Sequence, residues 1–208
     1  MLEDIKKERQ ERLQLLKEKL KSVEDKELVS LIENVIKDNE TLEKENSYLE
    51  QMAYVDTLTG LYTRRILPKV RDIGSVIICD IDYFKKVNDT FGHDMGDEVL
   101  RGIAYIIMNS IRIGDVACRY GGDEMLIILT TNNEKVVHER LNDICEKIRS
   151  QFHLPNFEVT LSVGVVFNND NEKLENLIEK ADKALYYSKE NGRNQISYYE
   201  PLKLHEKK

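Results

Sequence analysis

Apolar positions follow two rhythms along the chain, and the change of rhythm divides it. From Met1 to about Met52 there is neither Gly nor Pro, charged residues dominate, and leucines recur in steps of three and four. Leu13, Leu16, Leu20 and Val23 form one set. Leu28, Leu31, Val35, Leu42, Leu49 and Met52 form a second that fits a heptad seam, with Asp38 and Glu45 at the weak positions. The sets differ in phase by one residue around Ser22 to Asp25. That is either a coiled-coil discontinuity or a helix break, since Ser22 with Asp25 resembles a capping box. A mostly charged helix with a narrow apolar seam buries little by itself, so pairing with a second copy of the chain is expected. Folding back on the chain's own domain is the alternative.

Beyond Asp56 the rhythm shortens. Ser75-Val76-Ile77-Ile78-Cys79 and Leu126-Ile127-Ile128-Leu129 are continuous apolar runs that suit buried strands. Asp115 to Tyr120 is strand-like, Phe157 to Phe167 contains a strand in which Gly164 marks a bulge or a close approach, and Gln195 to Tyr199 is the last strand. Helical spacing covers Tyr83 to Asp89, then a longer run through Val99, Leu100, Ile103, Ile106 and Ile107 that starts from a Gly92–Asp97 turn and is capped by Asp94. Two more helices run from Asn133 to about Ser150 and from Glu172 to Glu190. Gly60 breaks the chain before them, Thr59 or Thr63 caps the next element, and Pro68 falls in or near the first turn of a short helix before Ser75. This order indicates an α+β domain over 54–200, with a central, mostly antiparallel sheet covered mainly on one face. Residues 1–53 are the helical segment, and 201–208 read as a loose tail.

Candidate chemistry lies in Arg119-Tyr120-Gly121-Gly122-Asp123-Glu124-Met125. Two adjacent glycines read as a tight turn, because Gly enters positive-φ regions without steric cost, and this places Asp123 and Glu124 at the bend of a hairpin. Neighbouring strand residues point to opposite faces, so one carboxylate is free to ligate while the other does a different job. Upstream, Asp80-Ile81-Asp82 ends the strand that begins at Ser75. Carboxylates there, facing the hairpin, form an oxygen-rich cluster of the kind Mg²⁺ accepts alongside phosphates. The helix that follows, with Lys85, presents its N-terminus to the same place, and helix N-termini attract phosphate. A bare G-G-D-E is an ordinary acidic turn; joined to D-x-D it points to metal-dependent nucleotidyl transfer.

Composition narrows the partners. The 208 residues are 41% hydrophobic and carry a net charge of -7, which leaves no basic surplus for nucleic acid or an anionic membrane. No apolar stretch approaches membrane-spanning length, and the N-terminus is charged rather than signal-like. Cys79, Cys118 and Cys145 are odd in number and set among apolar neighbours, as expected of reduced core residues in a cytoplasmic protein. His93, His138, His153 and His205 show no ligand spacing, so zinc is not expected.

Taken together these motifs resemble the GGDEF domain, the catalytic domain of diguanylate cyclases, which condense two GTP into cyclic di-GMP. The resemblance covers about Tyr54 to Tyr199. Asp56 to Arg65 is similar to the family's D-x-L-T-G-L-x-N-R-R opening, with Thr63 in place of Asn. Asp80-Ile81-Asp82-Tyr83-Phe84-Lys85, Asn88-Asp89 and Gly92 to Asp97 follow, then Ser162-Val163-Gly164, Ala181 to Tyr186, Lys189 and Gly192-Arg193-Asn194. Met125 replaces the usual Phe, an apolar exchange that should alter packing and not chemistry.

The resemblance implies roles. Asp80, the Ile81 carbonyl and Asp123 would hold divalent ions, Mg²⁺ or Mn²⁺, two per active site. Glu124 would assist a metal or help deprotonate the attacking 3′-hydroxyl. Asn88 and Asp97 would read guanine; otherwise they are a helix-end Asn and a helix-start Asp. Lys85, Lys189, Arg193 and the backbone near Tyr83 and Phe84 would hold the triphosphate, although helix-terminal cations also simply complement the dipole. Arg112-Ile113-Gly114-Asp115 has the position of the family's R-x-x-D site, where product binds and inhibits; a local Arg112–Asp115 pair is the plain alternative. One GTP pocket per domain and a symmetric product imply a homodimer, with the heptad seam raising the local concentration of paired domains. Competing readings are a silent receptor for GTP or cyclic di-GMP, against which intact Asp80, Asp123 and Glu124 count, and a cyclase using ATP, against which Asp97 counts.

Overall fold

The computed structural model describes residues 2–20 and 25–199, and the chain divides between Met52 and Ala53 into two compact units. In the first unit, helix α1 (Leu2–Leu20) is followed by α2 (Lys26–Met52). The phase break is therefore a break between helices. Asp25 caps α2: its Oδ1 accepts from the N–H groups of Glu27 at 3.0 Å and Leu28 at 3.1 Å. Ser22, Val23 and Glu24, the rest of the expected junction, and the expected tail 201–208 lie outside the described residues. α1 packs on the middle of α2 through a groove that includes Lys17, Leu20, Val29, Ile36 and Glu40, closed by a 2.7 Å Lys17–Glu40 ion pair. Leu20 and Ile36 are buried there, whereas the seam residues Leu28, Leu31, Val35, Leu42 and Leu49 remain 46–65% exposed.

The second unit is a six-stranded sheet in the order β1-β3-β4-β2-β5-β6. The strands are β1 (Tyr62–Thr63), β2 (Ser75–Ile81), β3 (Val116–Arg119), β4 (Glu124–Leu129), β5 (Leu161–Phe167) and β6 (Gln195–Tyr198). The three central ladders are antiparallel and the two outer ones, β1–β3 and β5–β6, are parallel. Around it lie α3 (Phe84–Phe91), α4 (His93–Ser110), α5 (Glu134–Gln151) and α6 (Leu174–Glu190). Among the described residues no helix is long and apolar enough to cross a membrane.

Both faces of the sheet are covered, not mainly one. Ile77, Cys79, Met125, Ile127, Val163 and Val165 form one core with Ile103, Ile107, Leu141 and Ile144 of α4 and α5. Val76, Ile78, Leu126, Ile128 and Val166 form the other with Leu177, Ala181 and Leu185 of α6. The continuous apolar runs are the cause, since a strand without a polar face needs cover on both sides. Gly164 marks a close approach and not a bulge: β5 keeps an unbroken register with β2, and Leu185 Cα would lie 2.8 Å from a Cβ at this position.

Three local expectations give way. Gly92–Asp97 is not a separate turn, because α4 already starts at His93; Asp94 lies in its first turn and Gly92, at φ 88°, holds the capping position. Thr63 precedes the 3₁₀ helix Arg64–Lys69 without capping it, because its hydroxyl donates to the Ala53 carbonyl at 3.1 Å, and Thr59 bonds Asp56. Pro68 falls near the end of that helix, not its first turn.

Candidate active site

Strand parity brings the carboxylates together. In the β2–β4 register Asp80 stands directly opposite Glu124, so both side chains leave the sheet on the face that carries α6. The adjacent Asp123 carbonyl accepts from the Ile81 N–H at 3.4 Å, which seats the bend against the end of β2. Neither Gly121 nor Gly122 has positive φ. Gly121 instead leaves room for Glu124, which folds back over it; a Cβ there would meet Oε2 at 2.6 Å and make that carboxylate shift. Met125, of opposite parity, is buried in the core on the other face, where its side chain meets packing and not the site.

Lys189, near the end of α6, places its ammonium 2.7 Å from Asp80 Oδ2. Burial raises the Asp80 carboxyl above its usual range; Lys189 pulls it back, and Asp123 and Glu124 push it up again. Facing carboxylates on neighbouring strands repel unless a cation lies between them, and here an ammonium does part of that work. Among the described residues no three His, Cys, Asp or Glu side chains converge enough to hold a metal alone. The donor set nevertheless fits Mg²⁺ or Mn²⁺, which bind through one or two carboxylates and complete their shells with substrate phosphates and water.

The groups expected to face phosphate come from two elements. Tyr83 caps α3 in the left-handed region, φ 56°, and the first N–H groups of a helix have no acceptor within it. Phe84 is half-buried and Lys85 is exposed in that first turn. The Arg193 guanidinium lies 4.8 Å over the Tyr83 ring and also donates to the Lys189 carbonyl at 3.3 Å. Asn88 packs its side-chain oxygen hard against Gly96, whose missing side chain makes room for it, so Asn88 and Asp97 share the α3–α4 corner. Asp97 also pairs loosely with Arg101 at 3.8 Å.

Arg112 and Asp115 lie apart from this cluster in the α4–β3 loop. Asp115 Oδ2 accepts from the Arg112 N–H at 2.9 Å and, also at 2.9 Å, from Arg140 of α5; Oδ1 accepts from the Thr130 N–H and hydroxyl. The expected local pair is thus a backbone contact, and the Arg112 side chain is left exposed. Sequence reasoning missed Arg140, whose partner is 25 residues away. It also gave no task to Arg119, which donates to the Gly122 carbonyl at 2.7 Å and to Asp56 at 3.3 Å. Asp82, expected in the carboxylate cluster facing the hairpin, is instead buried against Thr160, Ser162 and the Asn194 N–H. A cavity of about 690 Å³ lined by His138, Phe167, Lys180 and Tyr198 sits at the other end of β5, so cavity size does not locate this site.

Facing carboxylates, cationic side chains and a helix N-terminus gathered at one end of the central strands are groups of the kind that phosphate and a divalent metal together call for. The chain belongs to the GGDEF family: residues 53–195 match the family described as diguanylate cyclase, GGDEF domain. It is 36% identical over 170 residues to diguanylate cyclase A of Treponema denticola, covering 73% of this chain and 46% of that protein. It is 37% identical over 160 residues to diguanylate cyclase DosC of Escherichia coli K12, covering 70% and 35%. The matched stretch therefore spans less than half of either relative. Among solved structures, the coiled coil and GGDEF domain of DgcB from Caulobacter crescentus, in complex with c-di-GMP, is similar at a TM-score of 0.71 and 29% identity, covering 81% of this chain and 99% of that one. SiaD of Pseudomonas aeruginosa, a diguanylate cyclase in complex with its activator SiaC, is similar at 0.64 and 29% identity, covering 95% and 86%.

Proposed function

We propose that the protein is a diguanylate cyclase that condenses two GTP into cyclic di-GMP, releasing two pyrophosphates. The observation that carries this is the facing of Asp80 and Glu124 across the β2–β4 ladder, with Lys189 on Asp80. Asp80, the Ile81 carbonyl, Asp123 and Glu124 would hold two Mg²⁺ or Mn²⁺ ions, which when bound neutralise charge on the attacked phosphate and the departing pyrophosphate. Glu124 accepts the proton of the attacking 3′-hydroxyl or assists in ligation. Lys85, Lys189, Arg193 and the α3 N-terminus near Tyr83 and Phe84 hold the triphosphate, Lys189 exchanging Asp80 for phosphate as nucleotide arrives. Asn88 and Asp97 read the guanine edge, the amide facing O6 and the carboxylate accepting from N1–H and N2–H₂.

Each domain contributes one GTP, so the active species is a homodimer, and the exposed α2 seam is the surface that supports pairing. Product inhibition through Arg112 and Asp115 is part of the reading, supported by the exposed Arg112 side chain on a loop that Asp115 anchors to Thr130 and Arg140. The buried or half-buried free cysteines support a cytoplasmic, reducing setting. The test is mass spectrometry of products after incubation with GTP and Mg²⁺, beside Glu124→Ala. Cyclic di-GMP from the parent alone is expected; GTP binding without product would transfer the reading to a silent receptor.

A further inference from the structure

Asp82 takes no part in the proposed chemistry, yet the fold spends three hydrogen bonds on it. The residue is 2% exposed and stands just past β2. Its Oδ2 accepts from the Thr160 hydroxyl at 2.6 Å and from the Asn194 N–H at 3.0 Å, and its Oδ1 accepts from the Ser162 hydroxyl at 2.6 Å. Among the described residues no cation lies within ion-pair distance of it. A buried carboxylate without a counter-ion is a costly choice where a neutral side chain would fill the space. Something must use the charge.

The Asn194 N–H identifies the user. Gly192, Arg193 and Asn194 are consecutive residues at positive φ, 109°, 65° and 43°. Two of them carry side chains, for which the left-handed region is unfavourable, so the turn needs an external hold. An ionised acceptor is the stronger kind of hold on a backbone N–H. What the turn carries is Arg193, laid over Tyr83, and Tyr83 follows Asp82 directly in the chain and caps α3. One carboxylate thus ties the turn after α6 to the start of α3, the two elements that supply the phosphate-facing groups.

We propose that Asp82 is a positioning residue for phosphate binding: it fixes the Gly192–Asn194 turn so that Arg193 is held across Tyr83 at the N-terminus of α3. The inference rests on the reading of the domain as one that binds GTP. Asp82→Asn removes the charge and keeps the shape. The assay is calorimetric binding, to the full chain with Mg²⁺, of a GTP analogue whose α,β-bridging oxygen is methylene. Asp82→Asn should weaken binding about tenfold, the order expected when one charge-assisted phosphate contact is misplaced. In an Arg193→Ala background the same change should add almost nothing, because the contact it serves is already gone. Equal losses in both backgrounds would show a general effect on folding and overturn the proposal, as would wild-type affinity in Asp82→Asn. If Asp82→Asn does not fold, Thr160→Val, which removes one donor and leaves the carboxylate, should show the same coupling at smaller size. Absence of analogue binding by the wild type would overturn the GTP reading and this inference with it. Binding by the wild type without coupling overturns the inference alone.

Discussion

Gly164→Ala offers the most direct test of the packing that places the site. A Cβ at Gly164 would lie 2.8 Å from Leu185 Cα, and closer still to the Ala181 carbonyl oxygen and the Leu185 nitrogen. Carbon atoms in good contact sit roughly 3.5–4.0 Å apart, so α6 must retreat from β5 by about 1 Å. All three atoms are backbone, and no side chain can swing away to absorb the insertion. Overpacking of this kind costs about 1–3 kcal/mol, and the upper half of that range applies where a whole helix must shift. Gly164 has no positive φ, so the usual gain from stiffening the unfolded chain, roughly 0.5 kcal/mol, offsets part of it. The net expectation is a loss of about 2 kcal/mol. With a urea m-value of about 2 kcal/mol/M for a domain of this size, the midpoint should fall by about 1 M, read by circular dichroism. Activity should fall by more than stability explains, since α6 carries Lys189 and a misplacement of about 1 Å can cost on the order of 100-fold. An unchanged or raised midpoint would refute the close approach and the argument built on it.

Other perturbations separate parts of the molecule. Burial alone would raise the Asp115 carboxyl, but hydrogen bonds from Thr130 and Arg112 and the charge of Arg140 outweigh it and hold the group below the usual carboxylate range. Its stabilisation is therefore full above the unfolded-state value and lost as pH falls through the lowered folded one; acid unfolding followed by fluorescence should be less steep in Asp115→Asn. Asp115→Ala, which leaves a largely buried Arg140 without its carboxylate, should cost roughly 3 kcal/mol in urea titration. Asp80 carries the opposite sign: its carboxyl is raised by burial, so its contribution is full below the unfolded-state value and lost as pH rises through the folded one. Metal-free Asp80→Asn should then be no less stable than the parent at neutral pH by thermal melting, while product formation disappears. Leu31→Asp with Leu42→Asp should convert the proposed dimer to monomer in light scattering at micromolar concentration; a dimer that survives both would remove the α2 seam from the proposed assembly.

The buried strands were legible because they have no polar face: Val76 to Cys79 and Leu126 to Leu129 are apolar at every position, and all are buried. The same runs require cover on both sides, and the expected one-sided sheet fails because element order by itself does not show that β2, β4 and β5 lack a polar face. Asp123 lies in the bend as expected, whereas Glu124 is already the first residue of β4, paired with Asp80. Gly121 leaves room for the folded-back Glu124 side chain, a contact that exists only once the hairpin has formed. What stayed hidden is long-range. Asp82 meets Thr160, Ser162 and Asn194 across 78 to 112 residues, and Arg119 meets Asp56 across 63. No local period encodes such partners; they follow from a register that sets β2 beside both β4 and β5.

That register also explains how the unfavourable charge is tolerated. Asp80 and Glu124 face one another and Asp123 adds a third carboxylate, an arrangement that on a plain antiparallel ladder would weaken the pairing. Five consecutive partners behind them, Ser75–Leu129 through Cys79–Met125, are buried on β2, β4 or both and hold the ladder without help from its end. The end of β2 is then free to be electrostatically strained, and two contacts from the α6 side exploit it. Lys189 answers Asp80, and the backbone of Asn194 answers Asp82. The first contact is a side-chain ion pair that an incoming cation can replace. The second is a buried backbone hydrogen bond that nothing in the proposed reaction needs to break. In the proposed reaction, alternate carboxylates at one strand end would thus divide the work: Asp80 would face the exchangeable charge and Asp82 would keep the frame around it fixed during that exchange.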